Sequence, residues 1–143
     1  MSDCSAPGGA PGRLVEVVTA AAAGDTVTFS CSGTITLTAT ITIDKNLTID
    51  GAGQSVTISG GDAVRVFSVN SGKTFNLQNL SVTHGTAPGY GDSGGGVNNS
   101  GTLNVTNVTF SGNSAGYAGG GIYSTGALNV TNSAFSGNSA AGG

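Results

Sequence analysis

Five side chains able to move protons or hold ions crowd one stretch of the sequence: Asp62, Arg65, His84, Tyr90 and Asp92. A carboxylate and a histidine can share acid–base work, and an arginine can steady a developing negative charge. A loop insertion around Gly89 to Gly95 would carry His84, Tyr90 and Asp92 to one edge of the molecule. His84, however, aligns with Gly112, a turn position, where a lone histidine is ordinarily just solvated. Ser93 follows Asp92, yet no histidine or second base is placed to activate it as a nucleophile. The run Gly94 to Gly96 has the glycines of a phosphate loop, but no lysine follows it and no helix begins there, so a turn is expected.

Glycoside hydrolysis needs two carboxylates facing one bond. Here the 7 acidic residues are scattered at unlike repeat positions, with no two adjacent on the later repeats. Asp50, in the IDGAG turn, reads as a stand-in for a ladder asparagine, and Asp25 as the opening of the first strand. The expectation is a chain without catalytic residues, cofactor or metal. Cys4 and Cys31, the 2 cysteines, have no CxxC or Cys/His neighbourhood, so they read as a disulfide rather than a metal site. Such a bridge places the protein in an oxidising, extracellular compartment and would contribute roughly 3 to 4 kcal/mol on a loop-entropy argument.

The elements that position these residues follow from a chain of 143 residues with 26 Gly and only 8% charged side chains. Ordinary domains carry about 25% charge. Val, Ile, Leu and Phe recur at short regular intervals, so the chain folds with hydroxyls and amides on its surface. A net charge of −3 with 4 basic residues leaves no patch for nucleic acid, and no apolar run approaches the roughly 20 residues that span a bilayer. Met1 followed at once by a polar, mature-looking start is what remains when a signal peptide has been replaced, which fits a secreted or surface location.

The strongest signal is internal repetition. GGGVNNSGTLNVTNVTFSGNSA begins at Gly94 and GGGIYSTGALNVTNSAFSGNSA at Gly119, a period of 119 − 94 = 25 residues. Val97 pairs with Ile122, Leu103 with Leu128, Val105 with Val130 and Phe110 with Phe135. Upstream, SGKTFNLQNLSVTHG aligns Phe75 with Leu103 and Val82 with Phe110, a coil of 103 − 75 = 28 residues whose excess falls in the Gly-rich loop. Looser matches at Leu47-Thr48-Ile49, Val56-Thr57-Ile58, Val27-Thr28-Phe29 and Ile35-Thr36-Leu37 bring the total to about five coils.

Apolar-polar-apolar triplets between Gly, Asn, Asp and Ser predict strands of three to five residues with one face buried. Strands so short hold only when equivalents stack in parallel along an axis. The fold class is therefore all-β, a right-handed parallel β-helix of about five coils. One domain spans 1–143: a cap segment 1–25 with a helix at about 12–23, then coils over 26–143. Leu14, Val17, Val18 and Ala21 give that helix one apolar face, suited to covering the first layer. No matching cap appears after Ala140, so the final layer is expected to be open, either truncated or available for stacking.

Two sets of asparagines fall at equivalent turn positions, Asn79, Asn107 and Asn132 in one and Asn113 and Asn138 in the other, and both read as stacked amide ladders. Outward positions form an uncharged strip: Thr48, Asn76, Asn104 and Asn129, with Thr106 and Thr131 beside them. The strip suits weak binding to neutral glycans or protein surfaces, and otherwise is the solvated side of a sheet. An ice-binding array of repeated Thr-x-Thr is not expected, because TITLTATITI stays within one region.

The motifs GGGV at 94–97 and GGGI at 119–122, each followed by FSGN, resemble the GGA[ILV] and FxxN repeats of polymorphic outer-membrane-protein adhesins. They are also similar to right-handed β-helix repeat proteins of bacterial surfaces within the pectin-lyase-like superfamily, and RLVEVVTAAAAGDTVTF resembles the capping helix and first strand of such proteins. A third glycine stands where the family has Ala. The resemblance implies a secreted or cell-surface, adhesin-like structural module. The alternatives are a fragment of a carbohydrate-active lyase or hydrolase, whose Ca²⁺-holding or paired carboxylates are not seen here, and a filament subunit joining through its uncapped end. Implied partners are glycans, surface proteins or further copies of the chain.

Overall fold

A computed structural model describes residues 13–142. They form a parallel β-solenoid of about five windings, each contributing three strands. The first winding holds β1 (Thr26–Thr28), β2 (Gly33–Thr36) and β3 (Ile41–Ile43); the second holds β4 (Leu47–Asp50), β5 (Val56–Ser59) and β6 (Phe67–Val69). The third holds β7 (Thr74–Thr83), β8 (Thr86–Ala87) and β9 (Val97–Asn99), and the fourth β10 (Thr102–Ser111), β11 (Ser114–Ala115) and β12 (Ile122–Ser124). The last comprises β13 (Ala127–Thr131), β14 (Ala134–Ser136) and β15 (Ser139–Ala140).

Every recorded pairing is parallel and joins one winding to the next. The 8-stranded sheet stacks β1-β4-β7-β10-β13, with β2, β5 and β14 alongside; a 4-stranded sheet stacks β3-β6-β9-β12 and a 3-stranded one β8-β11-β15. The repeat alignment is the observed register: Leu103 lies between Phe75 and Leu128, Val105 between Leu77 and Val130, and Phe110 between Val82 and Phe135. Inward side chains thus stack like on like, and apolar burial rather than strand length holds the short strands in place.

One feature of the windings differs from the sequence expectation. In the third and fourth windings the triplets fuse into strands of 10 residues, β7 and β10, because Asn79 and Asn107 turn the chain through left-handed backbone (φ 56° and 54°) and the pairing skips only that one position before resuming. The open final layer, by contrast, is as expected: Leu128, Val130 and Phe135 keep their inward register yet are 40%, 43% and 48% exposed, because among the described residues no winding lies over them. Their equivalents one winding below, Leu103, Val105 and Phe110, are no more than 1% exposed.

At the other end, helix α1 (Arg13–Ala20) presses Leu14 and Val18 into the core beside Val27, Phe29 and Ile35. The helix ends at Ala20, short of the expected 23, and there Lys45, from the β3–β4 turn, donates from Nζ to the carbonyls of Val18, Thr19 and Ala21 at 3.2, 3.0 and 2.7 Å. A cation at the carbonyl end satisfies acceptors that have no helical partner and opposes the helix dipole. Asp25 then accepts the Ala22 amide through Oδ2 at 2.8 Å and hands the chain to β1. Cys31 packs half-buried against this first layer, whereas its expected partner, Cys4, lies outside the described residues.

Candidate functional site

The outward strip lies on the largest sheet, where the stacking of β4, β7, β10 and β13 places Thr48, Asn76, Asn104 and Asn129 directly above one another. Their side chains bond in series: Asn76 Nδ2 donates to Thr48 Oγ1 at 3.1 Å, Asn104 Nδ2 to Asn76 Oδ1 at 2.8 Å, and Asn129 Nδ2 to Asn104 Oδ1 at 2.8 Å. An amide has two N–H donors and an oxygen with two lone pairs, so each internal asparagine keeps one donor and one acceptor site for solvent or a ligand. Thr106 and Thr131 follow Gln78 in the next outward row, both exposed.

The turn row beside it does support a ladder. Asn107 Nδ2 donates to Asn79 Oδ1 at 2.9 Å, and Asn79 Nδ2 to Asp50 Oδ1 at 2.7 Å, so Asp50 does take the asparagine's place at the bottom of the row. Asn132 shares the left-handed backbone (φ 46°) at the top. The second pair is an interior ladder. Asn113 is fully buried; its Oδ1 accepts the Gly85 amide at 2.8 Å while Nδ2 donates to Val82 O at 3.1 Å and Asn138 Oδ1 at 2.9 Å.

Sequence reasoning missed Asn99. It is fully buried as the last residue of β9, in register with Val69 below and Ser124 above. Its Nδ2 bonds Ala127 O at 2.8 Å and Ser124 Oγ at 2.9 Å, and its Oδ1 accepts the Gly101 amide at 3.1 Å. The signal was weak because the equivalent residue is Ser rather than Asn in the next repeat and Val in the previous one.

The chemically capable five are only partly gathered. Arg65 and Asp92 line a shared groove of about 250 Å³ with Thr40, Thr86 and Pro88. The Arg65 guanidinium is held by backbone, Nε to Gly94 O at 2.9 Å and Nη2 to Ser93 O at 2.8 Å. Asp92 closes its own loop by accepting the Gly89 amide on Oδ2 at 3.0 Å. Tyr90 stands fully exposed at the tip of that loop. Asp62 and His84 lie on stacked turns of successive windings, both in left-handed backbone (φ 56° and 50°), where the Asp62 amide bonds His84 O at 2.8 Å. His84, like Gly112 and Gly137 above it, occupies a turn and lines no part of the groove.

Ser93 is buried, and its carbonyl serves Arg65. The glycines after it are there for close packing: a Cβ on Gly95 would overlap Ser114 O, and one on Gly96 would overlap Gly121 O. Among the described residues no three His, Cys, Asp or Glu side chains gather as metal ligands. No family model matches the chain, and no curated protein or solved structure similar to it was found.

Proposed function

We propose that the chain is a secreted or cell-surface, adhesin-like module of the right-handed, pectin-lyase-like kind, which extends from its attachment and displays a polar, uncharged face to neutral glycans or protein surfaces. The observation that carries this reading is the hydrogen-bonded row Thr48–Asn76–Asn104–Asn129, which fixes outward amides at winding-to-winding spacing before any ligand arrives. Preorganised donors and acceptors lose little side-chain freedom on binding, so even single weak contacts add along the row. An extracellular setting and a Cys4–Cys31 bridge belong to the same reading.

The test is a glycan array probed with the protein, coupled to an assay for reducing or unsaturated sugar released from the ligands it retains. Retention without release is expected. Release that disappears on Asp92→Asn would instead mark a carbohydrate-active enzyme. A second reading, self-association, is favoured by the open layer of Leu128, Val130 and Phe135 and by the absence of any charged residue after Asp92, since edge strands without charges are receptive to further pairing. Among the described residues α1 covers the first layer, so open layers that meet each other would give pairs. Light scattering that rises with concentration and levels at twice the monomer mass would support it, and a monomer at all concentrations would remove it.

A further inference from the structure

We infer that the groove between Arg65 and Asp92 is a binding site for an uncharged oligosaccharide, with Tyr90 as its stacking platform; this rests on the display reading above and gives it a second, separate contact point. Arg65 is half-buried and spends two of its N–H donors on the carbonyls of Ser93 and Gly94. A guanidinium carries five such donors, so three remain, in an orientation set by the backbone. Asp92 spends one carboxylate oxygen on the Gly89 amide and keeps acceptor capacity on the other.

Both groups line the same concavity, and the contacts recorded for Arg65 are to carbonyls rather than to Asp92. The pair therefore offers fixed donors and fixed acceptors side by side with no net charge. An anionic ligand would meet Asp92 and a cationic one Arg65. Neighbouring hydroxyl groups satisfy both, accepting from the guanidinium and donating to the carboxylate through charge-assisted bonds. Val64, Ala87 and Pro88 supply an apolar wall suited to the C–H face of a sugar ring.

Tyr90 supplies the remaining element. All 5 Phe of the chain lie in core registers, whereas Tyr90 projects from the loop with no protein surface covering it. Exposed tyrosines give large, rigid contact area at small entropic cost. The loop belongs to the 28-residue winding and is supported from above, where the Tyr117 amide donates to Asp92 O at 2.8 Å. Tyr117 is itself exposed, so solvent-facing tyrosines stand on successive windings beside the groove rather than in its lining, within reach of a chain of sugars that extends past it along the solenoid axis.

The test uses the whole chain, immobilised, with maltohexaose, cellohexaose, xylohexaose and mannohexaose as probes and hexagalacturonate for contrast. At least one neutral probe is expected to bind, with affinity falling about tenfold or more on Tyr90→Ala and on Asp92→Asn. Tyr90→Ala removes an uncovered side chain, so an unchanged melting temperature accompanies the loss. If hexagalacturonate alone binds, or if no neutral probe binds, the inference is overturned. If a neutral probe binds and Asn104→Lys abolishes it while Tyr90→Ala and Asp92→Asn do not, this inference falls and the display face of the preceding section stands.

Discussion

The first and last windings are built from the same kinds of residue and reach opposite states. Val27, Phe29, Ile35 and Leu37 in the first are at most 7% exposed, whereas Leu128, Val130 and Phe135 in the last are at least 40% exposed. Helix α1 and the Lys45 clasp account for the difference at one end, and the lack of an upper neighbour among the described residues accounts for it at the other. In a stacked protein, burial is thus a property of having neighbours on both sides, and repeat position alone does not confer it. Leu103 and Leu128 make the point most simply, being the same residue at the same register.

The sharpest way to break this comparison is to truncate the same ring in adjacent windings. Phe110→Ala should cost about 3–5 kcal/mol, since Phe110 is enclosed between Val82 and Phe135. Phe135→Ala should cost less than about half as much, because only one face of its ring is stacked, at 5.0 Å on Phe110. Equal losses in urea unfolding would mean that the last layer is covered in solution. Next in size, Asn113→Ala strands the Gly85 amide and the Val82 carbonyl and should cost about 2–4 kcal/mol. Asn138→Ala, at the half-buried end of that ladder, frees the Asn113 amide and the Phe110 carbonyl where solvent can reach them and should cost less, about 1–2 kcal/mol by the same measurement.

Lys45→Met tests the covered end. Loss of three bonds to helix carbonyls should lower stability by about 1–2 kcal/mol and speed amide exchange in β1 and β4 while leaving β10 unchanged. Uniform acceleration across all windings would show that α1 is not a local cover. The smallest effect is expected for Leu128→Ser, about 1 kcal/mol or less in thermal unfolding, against several for Leu103→Ser.

Much of the fold was legible because stacking converts sequence spacing directly into contact. The pairings Phe75–Leu103–Leu128 and Val82–Phe110–Phe135 follow from aligned repeats alone, as does the role of Asn79 and Asn107 in turns. The exposure of Phe135 was legible only from its place in the last repeat, since its immediate neighbours in sequence match those of Phe110. Asn99 was hidden for the converse reason: a residue without like counterparts above and below leaves no periodic trace. The candidate groove was half visible. Arg65, Tyr90 and Asp92 were singled out by type, but their separation from His84 depends on which side of a turn each occupies, and turn geometry is not written in the repeat.

The winding that carries Tyr90 and Asp92 is three residues longer than the one after it, with side-chain ladder steps of 28 and then 25 residues. Near-identical windings invite a folding chain to skip a turn, because Phe110 would fit over Val82 or in the place of Phe135 almost equally well. The winding before that of Tyr90 and Asp92 has the same 28-residue step, but the loop closed by Asp92 on the Gly89 amide sets this one apart, so that loop serves as a registration mark against which the later turns are counted. The same residues that make the loop chemically distinctive therefore also keep the solenoid from slipping a thread.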